Sequence, residues 1–175
     1  MEELPFRIVR VVERRADAVP ILHEPGEAVL VSRGHDRLLV MRCPCACGDD
    51  IIVNLDREAG PAWVLYQRRR GTSLYPSVWR DTGCGSHFVV WEDRILLFGG
   101  GWRWPEQSRD WDREVDERVL DLMSKRGGAA EFRAVAQELE EVPWTVLASC
   151  RRLSTRGALA EVDDGVFAIP PKRSR

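Results

Sequence analysis

The sequence has no hydrophobic run long enough to span a membrane. Its longest central apolar run lies between Arg94 and Gly99, far short of the ~20 residues a helix needs to cross the hydrocarbon. It has no excess of either charge. The 26 Lys and Arg face 28 Asp and Glu, a formal net charge of −2. That balance excludes a general polyelectrolyte for nucleic acid or membrane and leaves only a local patch for such contacts. Basic residues are missing from Met1 to Pro5, where a secretory signal would carry Lys or Arg. The expectation is a cytoplasmic protein with no membrane partner. Cysteine is scarce, and the count of five is odd, which argues against a disulfide framework in a chain with no secretion signal. A hydrophobic share of 44% with 31% charged residues excludes disorder and fits a chain that buries a core.

What is present divides the chain in two. Residues 6–105 read as β. The segments 6–12, 28–31, 37–41, 51–55, 62–66, 72–75, 88–91 and 95–98 are short, rich in β-formers and separated by turn residues. They predict an antiparallel sheet, sandwich or small barrel. From residue 112 the period changes to 3.6. Val115, Val119, Leu120, Leu122 and Met123 share one helical face, which ends at Gly127 and Gly128. A second helix carries Phe132, Val135, Ala136 and Leu139, and a third runs through 145–153. A hairpin over 158–169 follows. The fold class is therefore α+β: a β-rich domain over 1–105, a junction at 102–111, and a winged-helix-like unit over 112–171.

The cysteines are clustered. Cys43, Cys45 and Cys47 lie in the run Cys43-Pro44-Cys45-Ala46-Cys47-Gly48, and Cys84 and His87 in Gly83-Cys84-Gly85-Ser86-His87. Thiolates and imidazole are the preferred ligands of zinc, usually four in a tetrahedron. In a straight strand, residues i and i+4 lie roughly 13 Å apart, so three cysteines meet on one ion only if the segment bends. Pro44 and Gly48 suit a bend. Cys43, Cys45, Cys47, Cys84 and His87 are thus five candidates for four places around a zinc ion. Cys150 stands alone on the third helix beside Leu147 and reads as core.

Together the run from Cys43 to Cys47, Trp63-Val64-Leu65, the segment 72–77 and the segment 83–88 resemble a bacterial family found in bacterial ubiquitination-like (Bub) operons. The resemblance covers residues 28–98. It implies a peptidase that processes or removes a ubiquitin-like protein, with that protein and its activating and conjugating enzymes as partners.

A peptidase needs a nucleophile, a base and a means to stabilise an oxyanion. Ser86 is the favoured nucleophile, because it lies inside the shared motif beside glycines that free backbone N–H groups. Ser77 is the reserve. His87 is adjacent to Ser86, and neighbours on a strand point to opposite faces. The base is therefore sought at His35, with His23 as the other histidine. A second mechanism is a metallohydrolase using Asp49, Asp50 or Glu92 as base. The serine route with structural zinc is preferred, because the ligands available are enough to close the site.

Other features carry weaker readings. Arg68, Arg69 and Arg70 form a hairpin tip or a dock for a carboxylate. Trp63, Trp79, Trp91, Trp102, Trp104 and Trp111 read mostly as core and junction packing, and Trp102 and Trp104 can line a groove for an extended tail. Arg151, Arg152 and Arg156 with Thr145, Ser149 and Ser154 are the residues a DNA-binding winged helix would use. Acids in the first helix and at Asp163 and Asp164 oppose that use, so nucleic acid is not the expected partner. Two alternatives stand beside the hydrolase: a non-catalytic zinc adaptor of the conjugation machinery, and a DNA-binding regulator.

Overall fold

A computed structural model of the chain describes residues 4–98 and 110–171, with side chains for all of these except Asp110 and Trp111. The chain divides into two compact units, Met1–Trp102 and Arg103–Arg175. Among the described residues, no helix is long and apolar enough to cross a membrane.

The first unit is built from nine strands: β1 Leu4–Pro5, β2 Arg7–Val12, β3 Glu27–Ser32, β4 Asp36–Arg42, β5 Asp50–Asn54, β6 Val64–Arg68, β7 Gly71–Trp79, β8 His87–Trp91 and β9 Arg94–Leu97. They make two sheets, in the orders β1-β9-β8-β7-β6 and β2-β3-β4-β5. The period-2 pattern decides which face each side chain takes. Leu30, Leu39, Met41 and Val53 of one sheet meet Leu74, Val78, Phe88, Val90 and Ile95 of the other in a single buried cluster. These two sheets are the expected antiparallel ones, with one exception: β2 runs parallel to β3. A parallel pair needs a long return path. Here it is the segment 13–26, which folds into two short 3-10 turns and lays Ala18 and Leu22 over Val29, Val31 and Val40.

Two turns at one end of the larger sheet lock onto each other. The β8–β9 turn places Glu92 and Asp93 at φ 53° and 59°, a left-handed pair that suits a two-residue hairpin. Asp93 is held against the β6–β7 turn because its Oδ1 accepts the Thr72 N–H at 2.7 Å and its own N–H donates to the Thr72 carbonyl at 3.0 Å. Gly71 is required next to it, since a Cβ at that position would lie 2.6 Å from Asp93 Oδ2.

The second unit runs α1 Asp110–Arg126, β10 Ala129–Glu131, α2 Phe132–Glu138, α3 Pro143–Thr155, β11 Ala160–Asp163 and β12 Val166–Ala168, with sheet order β10-β12-β11. Three helices and a hairpin are the expected elements; the strand β10 is an addition to them. The predicted apolar faces supply the core: Val115, Val119 and Met123 of α1, Phe132 and Val135 of α2, and Val146, Cys150 and Leu153 of α3.

Three of the polar residues that the DNA reading draws on are turned inward. Thr145 and Ser149 are buried, and Arg152 is only 6% exposed. Asp116 of α1 accepts from Ser149 Oγ at 2.6 Å, Arg152 Nη2 at 2.8 Å and Arg156 Nη1 at 3.2 Å. Asp112 lies 3.5 Å from Arg152 as a second counter-ion. A buried charge needs such partners, and Arg152 spends its charge inside the unit instead of on a phosphate.

Candidate functional site

The turn from β4 to β5 brings three cysteines together. The Cys43 N–H donates to the Asp49 carbonyl at 2.9 Å and the Ala46 N–H to the Cys43 carbonyl at 3.2 Å. Ala46 and Gly48 adopt φ 61° and 86°, and these two left-handed residues supply the bend the spacing demands. Cys84 arrives from the turn between β7 and β8. The four Sγ atoms of Cys43, Cys45, Cys47 and Cys84 all lie within 4.8 Å of one another. Cys43 Sγ is 3.3 Å from Cys45 Sγ and 3.7 Å from Cys84 Sγ. A tetrahedron of thiolates at the zinc–sulfur distance has edges of about 3.8 Å, so the donor set fits one ion of that kind.

The surroundings favour charged sulfur at Cys84 and oppose it at Cys43 and Cys45. Each of Cys43, Cys45 and Cys84 accepts the backbone N–H of the residue two positions on. Burial is the largest influence on the first two thiols; it raises Cys43 and pushes Cys45 up to about 12. At Cys84 the Ser86 N–H is the largest influence and brings the thiol down to about 7. Arg80 lies alongside. Its Nη1 is 3.5 Å from Cys84 Sγ, 3.8 Å from Cys47 Sγ and 2.9 Å from Asp49 Oδ2. It is a fixed cation that offsets thiolate charge, and sequence reasoning misses it, because nothing in the sequence marks which arginine faces the cluster.

His87 is not in this cluster, which corrects its place among the ligand candidates. As the first residue of β8 it faces Trp79 of β7 across the sheet. Its ring stacks on Phe98 with centroids 4.1 Å apart, and the Trp79 ring is 6.2 Å away. The ring nitrogen Nε2 is 3.0 Å from Ser77 Oγ. Ser77 and Trp79 stand two apart on β7, so one face of that strand delivers both to the histidine. The backbone of Ser77 is anchored in turn, its carbonyl accepting from Trp63 Nε1 at 3.2 Å.

Ser86 and His35 are not brought together, and this corrects the expected catalytic pair. Ser86 is 7% exposed, and its hydroxyl has no hydrogen-bond partner among the described residues. Its backbone instead holds the loop, with the carbonyl accepting from the Arg80 N–H at 2.9 Å. His35 sits at the β3–β4 turn with Nε2 3.2 Å from Asp56 Oδ2. The acids proposed as metallohydrolase bases are committed elsewhere: Asp49 to Arg80, Asp50 to Arg42 at 3.1 Å, and Glu92 to Arg94 at 3.6 Å. Arg68 and Arg69 are exposed at the β6–β7 turn, with Arg68 over the Tyr66 ring at 5.7 Å. Trp91 is buried as expected, but Trp79 is 69% exposed. Trp102, Trp104 and the Trp111 side chain lie outside the described residues.

Past Ser77 along β7, Val78, Trp79 and Arg80 line a cleft of about 220 Å³; Ser77 and His87 do not line it themselves. Ile52, Trp63, Val78 and Trp79 give it apolar walls, and Asp50 and Arg80 stand at its rim. A serine hydroxyl within hydrogen-bond reach of an imidazole nitrogen has the geometry of a nucleophile and its base. No curated protein and no solved structure matches the chain. Residues 14–98 match the model of the family described as Bacterial ubiquitination-like system serine protease (BubE). That segment, which holds the cysteine cluster, Ser77 and His87, is similar to the serine-protease family of bacterial ubiquitination-like systems.

Proposed function

We propose that this chain is a serine peptidase that cleaves a ubiquitin-like protein from its precursor or its conjugates, with Ser77 as nucleophile and His87 as general base. The observation that carries the reading is the 3.0 Å contact between His87 Nε2 and Ser77 Oγ. That is within the reach a base needs to take the hydroxyl proton. As Oγ attacks the substrate carbonyl, Nε2 accepts its proton. The protonated ring then gives that proton to the departing amine, and an acyl group stays on Ser77. Water, deprotonated by the same nitrogen, releases the acyl group and restores the serine. Phe98 stacked on the ring limits its rotation, which keeps Nε2 aimed at Oγ.

The cysteine cluster supports a zinc ion in a structural role. Four thiolates fill all corners of a tetrahedron and leave no position for an attacking water. Bound zinc would brace the β4–β5 turn, which carries Cys43, Cys45 and Cys47, against the β7–β8 turn, which carries Arg80 and Cys84, and the chemistry stays with the serine. The second unit is read as a winged-helix-like module that docks protein. Its element order supports that reading, and the buried Arg152 speaks against a DNA surface.

The test uses a fluorophosphonate probe and elemental analysis on the same preparations. The expected result is labelling at Ser77, lost in Ser77→Ala and kept in Ser86→Ala, with about one zinc per chain that survives His87→Ala but not Cys84→Ser. Labelling at Ser86, or zinc lost with His87, would overturn the assignment.

A further inference from the structure

We infer that the substrate is held as an added β-strand on the free edge of β5, in the cleft that leads to Ser77; this rests on the peptidase reading. β5 is the terminal strand of its sheet. The Cys43 N–H bonds the Asp49 carbonyl and the Leu55 N–H bonds the Arg37 carbonyl, which fixes 49 and 55 as residues whose backbone faces β4. With period 2, Ile51 and Val53 face β4 too, and Asp50, Ile52 and Asn54 turn their N–H and C=O groups outward. The Asn54 carbonyl is taken by the Trp63 N–H at 2.8 Å. Ile52 has no backbone partner on that side among the described residues.

An apolar edge strand left open in this way is ordinarily a hazard, and proteins blunt it with a charge, a proline or a bulge. Here the register of β5 with β4 is unbroken, and the central outward residue is Ile52, whose side chain is 41% exposed. The open edge also forms one wall of the cleft whose other wall is Val78, Trp79 and Arg80. Ser77 precedes that wall directly. An extended segment paired to Ile52 therefore runs between two walls, the second of which continues the strand that carries Ser77.

The chemistry of the cleft names the occupant. Its basic lining residue, Arg80, is already paired with Asp49. Recognition is left to main-chain hydrogen bonds and to the apolar surfaces of Ile52, Trp63 and Trp79. Such a site takes an unfolded, extended polypeptide tail with at least one apolar side chain and is tolerant of the rest of its sequence. A folded surface or a charged headgroup does not satisfy the Ile52 backbone.

The experiment reads cleavage of a quenched-fluorescent decapeptide with the tail sequence of a ubiquitin-like protein from a bacterial ubiquitination-like system. Ile52→Pro removes the outward N–H, which β4 does not use, and is expected to raise KM about tenfold with kcat little changed. Because proline can disturb the strand, the second arm leaves the protein intact and N-methylates the peptide one amide at a time. One or two positions are expected to raise KM about tenfold, and the rest to be neutral. If a fluorophosphonate labels Ser77 but no N-methyl group alters KM, edge docking is overturned and the peptidase stands. If Ser77 is not labelled, the peptidase reading falls and edge docking falls with it.

Discussion

Arg80 Nη1 lies 3.5 Å from Cys84 Sγ, on the far side of a loop whose closing contact is the Arg80 N–H to the Ser86 carbonyl. The guanidinium is therefore held beside the cluster by the backbone of its own residue and by Asp49. Groups in this position typically change metal affinity by 10- to 100-fold. Arg80→Met is expected to keep the backbone contact and the apolar stem but to weaken zinc binding by at least about tenfold. Competition with a chromogenic chelator measures this. Unchanged affinity would show that Arg80 serves only to pair Asp49.

Ser86 and Ser77 predict opposite outcomes. Ser86 buries a hydroxyl with no partner among the described residues, an arrangement that costs stability. Ser86→Ala is therefore expected to leave peptide turnover at the wild-type level and to hold or raise unfolding free energy by up to about 1 kcal/mol. Ser77→Ala is expected to fold normally and to lose at least about 10³ in kcat. Steady-state kinetics and urea denaturation on both variants separate the roles.

Glu27 makes the first unit sensitive to acid. Its carboxylate accepts the Glu24 N–H at 3.0 Å and the His23 N–H at 2.9 Å, with Arg7 Nη2 at 2.7 Å. The two backbone donors are the main cause of a pKa held at about 2 against an ordinary 4.5. A folded value below the unfolded one means the group contributes stability above about 4.5, and that contribution is lost as pH falls through about 2. Glu27→Gln should cost about 1–2 kcal/mol at pH 7. It should also flatten the pH dependence of unfolding across the window from 4.5 to 2. Chemical denaturation at a series of pH values is the measurement.

Asp116 is the closest counter-ion of Arg152 at the centre of the second unit. Asp116 answers Ser149, Arg152 and Arg156 together. Asp116→Asn leaves Arg152 buried without its closest counter-ion and is expected to destabilise that unit by about 3 kcal/mol or more. The pair Asp116→Leu with Arg152→Met removes both charges and should recover part of the loss. Thermal melts of the two variants decide the point.

Much of this architecture is written in short-range pattern. The short runs of β-formers at 37–41 and 88–91 give strands β4 and β8, and Pro44 and Gly48 flag the bend that gathers Cys43, Cys45 and Cys47. What stays hidden depends on partners distant in sequence. The parallel pairing of β2 follows from how residues 13–26 return, which no local period encodes. β10 is the three residues Ala129–Glu131, too short to show a period. The meeting of Ser77 with His87 depends on the register of β7 with β8, which shifts between Leu74 and Val78. The polar face of α3 resembles a surface because its counter-ion, Asp116, lies 36 residues before Arg152.

Cys43 and Cys84 are 41 residues apart in sequence yet touch in space. An ion shared between them acts on the unfolded chain as a staple, and closing a loop of that length is worth about 4 kcal/mol on the chain-entropy scale used for cross-links. The stapled loop enters β8 at His87, three residues beyond Cys84. Metal supply would then govern how long the histidine stays in register with its serine. On the peptidase reading with structural zinc, a cell short of the metal would retire the enzyme by slackening it, with no change to the groups that break the bond.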